Sequence, residues 1–189
     1  MVKSNKYTGK IFIVLIIAIV LVVVIILLVF SGIFGKKPKE VTVLDNPMKK
    51  IIFDNTYQGK VDFEKVLEQG VKEFDKDYVN YLLISSGAEK LHKSVIGYGD
   101  PAIELNIDNE VWGVKIENGN LITEKSSIEN EDFKIIISKQ ETVKALLSEN
   151  TYEFFKNSLK SGNIQAELVA GKAELLSKGY LEMYQSLSG

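Results

Sequence analysis

The sequence predicts an α+β domain, an antiparallel-rich sheet of about five strands covered by helices and preceded by one transmembrane helix. Three observations predict it. An unbroken apolar run fills Ile11 to Phe30. Apolar residues alternate at a period of two on both sides of Asn118-Gly119 and again from Phe133 to Ile137. Between and after these runs, apolar residues recur at the three-to-four spacing of helices with one buried stripe.

The run "IFIVLIIAIVLVVVIILLVF" contains no polar residue, and as a helix its length matches the roughly 30 Å hydrocarbon layer of a bilayer. A cleavable signal peptide would have an apolar core of about 7 to 15 residues, so an uncleaved anchor is the expectation. With no ionisable group inside it, the segment offers no ion path or proton relay. The chain therefore divides into a tail at 1–10, the transmembrane helix at 11–30, a stem at 31–60 and a domain at 61–189. A single-pass membrane location is expected, with the bilayer as one partner. Lysines flank both ends of the run in near balance, so the side on which the domain lies is not assigned.

Composition excludes several classes of function. The 189 residues include no cysteine, which removes disulfides, thiolate zinc sites and thiol nucleophiles. All 23 basic residues are lysine, and the formal net charge is −2. Lacking the arginine fork and any positive excess, the chain has no nucleic-acid footprint.

The elements follow in order. "SGIFGKKPKE" mixes Gly, Pro and Lys as a stem. The stretch "VTVLDNPMKKIIFDNTYQG" carries short β-like pieces interrupted by Pro47, and belongs either to the stem or to an added edge of the domain. From Asp62 a helix is expected, with Phe63, Val66, Leu67, Val71, Phe74, Tyr78 and Leu82 on one stripe. A short helical piece and a glycine-rich loop lead to Pro101.

Ile103, Leu105 and Ile107 then alternate inward, as do Trp112, Val114 and Ile116. Asn118-Gly119 tolerates the positive φ of a two-residue hairpin loop, which would set Ile116 opposite Leu121. In "FKIIISKQETVKALL" the period changes from two to the helical spacing at Ser138. Ser138 and Glu141 form a capping box that starts the helix at that corner. Asn150 and Glu153 cap a second helix, which Gly162 ends. Ile164, Ala166 and Leu168 alternate as a last strand, and a final helix from Lys172 carries Leu176, Tyr180, Met183 and Tyr184.

Catalytic signals are weak throughout. His92 is the only histidine, lies among Lys90, Lys93 and Ser94, and reads as a surface residue without triad or metal partners. "IENEDF" lacks the ligand spacing and central glycine of a calcium loop. Glu104, Asp108 and Glu110 face outward too separately for a carboxylate pair. No catalytic residue, metal ligand or cofactor is assigned.

The segment from "VWGVKIENG" through "FKIIIS", "ETVKALLS" and "SGNIQAEL" to the apolar final helix resembles the sterol-carrier-protein (sterol-binding) domain family. The resemblance covers roughly Ala102 to Leu187, with Asp62 to Leu82 as the leading helix. It implies an apolar tunnel between sheet and helices that encloses an acyl chain, sterol or phospholipid. The tunnel would be lined by Trp112, Val114, Phe133, Ile135, Leu146, Phe154, Phe155, Leu176, Tyr180, Met183 and Tyr184. Two features depart from the family pattern: Gly171-Lys172 stands where a glycine-acid pair is usual, and the ending "SLSG" is no peroxisomal signal. The expected function is a membrane-tethered, non-catalytic lipid-binding domain. The alternative is a membrane-anchored protein-interaction module whose core is filled by the same aromatic and aliphatic side chains.

Overall fold

The structure, a computed structural model, describes residues 44–188, and the side chains up to Tyr184. The apolar run at 11–30 lies outside the described residues. Among the described residues no helix is long and apolar enough to cross a membrane.

The chain begins with α1 (Met48–Asp54), whose Met48 and Ile51 are buried in the main core. Pro47 stands at its N-cap, where a missing amide hydrogen costs nothing. A two-stranded ribbon, β1 (Thr56–Tyr57) and β2 (Lys60–Val61), turns at Gln58-Gly59. The stretch that reads as stem or edge in the sequence thus contributes a helix to the core.

The stripe from Phe63 to Leu82 is divided between two helices, α2 (Phe63–Lys72) and α3 (Lys76–Ser85). Each has an aspartate cap: Asp62 accepts from the Lys65 amide, and Asp75 from the Asp77 amide. The second cap starts a new helix inside what periodicity alone reads as one. Phe63, at the start of the stripe, is left largely exposed. A single 3-10 turn, Ala88–Lys90, follows.

Five strands form the main sheet: β3 (Ala102–Ile107), β4 (Glu110–Glu117), β5 (Asn120–Glu124), β6 (Phe133–Ile137) and β7 (Gln165–Leu168). Their order is β5-β4-β3-β6-β7. All pairs are antiparallel except β3 with β6, which run parallel. Asn118 and Gly119 take φ of 51° and 79° in the β4–β5 turn, and Ile116 pairs with Leu121 as the spacing requires.

Reaching the centre of the sheet from edge strand β5 requires a crossover, and residues 125–132 make it over the outer face. Gly113 permits this, because a Cβ there would stand 2.9 Å from both the Ile128 Cβ and the Ser126 carbonyl oxygen. The register puts Ile103, Leu105, Ile107, Trp112, Val114, Ile116, Phe133, Ile135 and Ile137 on the inner face, and all nine are buried.

Ser138 ends β6 and begins α4 (Lys139–Leu147), its Oγ accepting from the Glu141 amide at 3.0 Å. Only half of the capping box forms. The Glu141 carboxylate instead accepts from the Ser158 hydroxyl of α5 (Thr151–Ser161), tying the two helices together. Asn150 caps α5 on the Glu153 amide, and Gly162 ends it at φ 78°.

The single final helix expected from Lys172 is two helices, α6 (Lys172–Ser177) and α7 (Tyr180–Ser188). The break falls at Gly179, whose φ of 87° disfavours other residues and whose missing Cβ leaves room for the Lys90 carbonyl oxygen. Edge strand β7 also differs from expectation, since Ala166 and Leu168 sit on the inner face yet stay exposed. The broken helix does not close over them.

Candidate functional site

Where β7 is left uncovered, Leu168, Lys172, Leu175, Leu176, Tyr180, Leu181 and Tyr184 line a cleft of about 340 Å³. One wall is the inner face of β7, represented by Leu168. The other is the bent pair α6–α7, which presents residues 172, 175 and 176 before the bend and 180, 181 and 184 after it. Those spacings are one helical face on each side of Gly179. Leu168, Leu176 and Tyr184 are 48%, 55% and 47% exposed, so the cleft carries apolar surface that the fold leaves in water. Its volume lies within the roughly 300–1,000 Å³ of ordinary small-molecule sites. Lys172 supplies the single charge on the lining, and it enters no ion pair among the described residues.

A buried polar cluster holds Tyr180, one of the lining residues, in place. Asp132, at the end of the crossover, is fully buried and accepts from Lys178 Nζ at 2.7 Å and from the Ala102 amide at 2.8 Å. Its backbone carbonyl also accepts from the Val169 and Ala170 amides beyond β7. The Tyr180 hydroxyl lies 3.1 Å from Asp132 Oδ2 and 3.2 Å from the Ala102 carbonyl, with one proton to give between them. Lys178 is nearly as buried as Asp132 and reaches Glu174 as well. Burial pushes the Asp132 carboxyl up from its ordinary range against the pull of Lys178, and burial beside that carboxyl raises the Tyr180 phenol. Because every member has a partner, the cluster behaves as a clamp holding α6 and α7 against the sheet.

The residues named from the sequence divide between cleft and core. Leu176, Tyr180 and Tyr184 line the cleft. Trp112, Val114, Phe133, Ile135, Leu146, Phe155 and Met183 are buried in the main core, and Phe154 is partly buried against it. Tyr180 connects the two groups, its ring centroid 6.1 Å from that of Phe133. Sequence reasoning missed Leu168, Lys172, Leu175 and Leu181 as lining residues, and it missed the clamp of Asp132 and Lys178. Leu168 carried a signal, since it ends the alternation of an edge strand. Asp132 carried none, because its partners come from three separate parts of the chain.

The carboxylates considered for acid–base chemistry are each otherwise engaged. Glu110 accepts from Lys139 at 2.8 Å and Lys125 at 2.9 Å, and those two bonds hold its carboxyl down at about 2. Glu104 pairs with Lys134 at 3.2 Å, and Asp108 accepts from the Lys139 amide. His92 is exposed. No cluster of potential metal ligands occurs among the described residues.

No family model matches the sequence, and no curated protein does. Solved structures give distant likenesses. A sec-alkyl sulfatase, PisA1, is 14% identical with a TM-score of 0.35, over 64% of this chain and 17% of that one. The UbiJ-SCP2 ubiquinone synthesis protein is 8% identical with a TM-score of 0.32, over 66% of this chain and 87% of that one. Sterol Carrier Protein 2 Like 2 from Aedes aegypti is 13% identical with a TM-score of 0.30, over 53% of this chain and 88% of that one. The chain thus spans about a sixth of the sulfatase and most of the two smaller proteins. Likenesses this distant carry no weight for function, and the description of the sheet stands on its own strand order and register.

Proposed function

We propose that the protein is a membrane-tethered, non-catalytic lipid-binding domain that takes an acyl chain, or another slender apolar group, into the cleft between β7 and α6–α7. The observation that carries this reading is the cleft itself: six apolar or aromatic residues and one lysine around about 340 Å³. Leu168, Leu176 and Tyr184 hold apolar surface in water, and a bound chain would gain roughly 25 cal/mol for each Å² it removes from solvent. The ligand site differs from the enclosed tunnel implied by the sterol-carrier resemblance. It lies at the edge of the sheet, and the central residues fill their own core. The apolar run at 11–30 supplies the tether.

Trp112 does not line the cleft, so its emission is a poor reporter of binding. Replacing Tyr184 by Trp puts an indole on the wall at little change of size. In the segment 36–189, titration with oleate should shift and saturate the emission of Tyr184→Trp. Adding Leu176→Asp should weaken that response while leaving the thermal unfolding transition in place, because residue 176 is already half in water. A linear, unsaturated response in the parent and the Leu176→Asp form alike would contradict the proposal.

The second reading is the protein-interaction module. It is favoured by the closed packing of Trp112, Phe133, Ile135 and Phe155, and it would make the cleft a seat for an apolar side chain of a partner.

A further inference from the structure

The loop between the 3-10 turn and β3 presents an apolar tip that the core does not use. Val95 and Ile96 are 86% and 64% exposed, and Tyr98 is exposed beside them. The tip is built rather than loose. The Ser94 amide donates to the Gly99 carbonyl at 2.9 Å, closing the loop, and the Ile96 amide donates to Ser94 Oγ. Gly97 and Gly99 take positive φ, which directs the chain outward and back within six residues. Two contacts fasten this loop to the α6–α7 bend: Ser94 Oγ lies 2.8 Å from Ser177 Oγ, and the His92 amide donates to the Lys178 carbonyl at 3.1 Å. Ser177 immediately follows Leu175 and Leu176 of the cleft wall. The loop is therefore fastened to the helix that walls the cleft, through a residue outside the cleft lining.

We propose that the loop Val95–Tyr98 is a membrane-docking tip that inserts into the bilayer in which the chain is anchored. The proposal rests on the reading of 11–30 as an anchor. Between Phe30 and Leu44 stand residues 31–43, which extended span at most about 45 Å. A domain of this length is roughly 38 Å across by its expected radius of gyration. A tether of that length keeps the domain close to the surface, where an exposed apolar tip can meet the lipid. Lys93 adjoins the tip, is exposed, and enters no ion pair among the described residues, which suits anionic headgroups. Val, Ile and Tyr beside a lysine are the residues of a segment that lies in an interface rather than spanning it.

A chain without cysteine makes the test direct. The full chain bearing Ile96→Cys is labelled with an environment-sensitive fluorophore, reconstituted in vesicles of phosphatidylcholine and phosphatidylglycerol, and compared with Glu167→Cys on the exposed edge strand. Lipids brominated along the acyl chain should quench the label at 96 several times more than the label at 167, and iodide should do the reverse. A label at Tyr98→Cys should lose its lipid quenching when Val95→Asp is added. If the chain floats with the vesicles but the labels at 96 and 167 are equally open to iodide, the docking tip is wrong and the anchor stands. If the chain does not float, anchor and tip both fail. Burial of residue 96 that follows added protein instead of lipid would overturn the proposal in favour of a protein contact.

Discussion

Asp132 and Lys178 show how single residues decide the geometry of the cleft. Both are buried, and their pairing spans 46 residues of sequence. Removing one partner of a buried ion pair strands the other, at a cost of about 3–5 kcal/mol. Asp132→Ala also deprives the Ala102 amide and the Tyr180 hydroxyl of an acceptor. Lys178 keeps Glu174, so the loss should fall near the lower end of that range. The double change Asp132→Asn with Lys178→Met removes the charge and keeps an acceptor, and denaturant unfolding should show most of the stability restored. A double variant no more stable than Asp132→Ala would mean that the pair does not act as a clamp. Sequence reading was blind to this cluster because its members are brought together only by the crossover and by the bend at Gly179.

At the scale of elements, legibility followed the range of the forces involved. The β4–β5 hairpin was plain, since Asn118-Gly119 specifies its own turn and the turn specifies the register. Gly119→Val should cost on the order of 1 kcal/mol or more, because a β-branched residue resists φ near 79°; an unchanged melting temperature would refute the turn assignment. The corner at Ser138 was equally local, apart from Glu141, whose side chain chose Ser158 over the returning cap. Helix breaks were hidden. Apolar periodicity continues through Glu73–Asp75 and through Lys178–Gly179, and what divides the helices is an aspartate cap in one case and a close approach by the Lys90 carbonyl in the other. That second break made the cleft. The enclosed tunnel was implied by the sterol-carrier resemblance, and the bend in the final helix leaves the inner face of β7 uncovered instead.

For the whole molecule, the proposed role is to hold an apolar ligand in the cleft close to a bilayer. The core from Met48 to Met183 closes on itself without it, so the exposed apolar wall formed by Leu168, Leu176, Leu181 and Tyr184 calls for an explanation other than folding. The most direct measurement is native mass spectrometry of the segment 36–189 expressed with phospholipid-rich cells and purified without detergent. A population heavier than the bare chain by the mass of one fatty acid or lipid is expected, and its loss in Leu176→Asp. Bare chain alone, in parent and variant, with no adduct after incubation with oleate, would contradict that role.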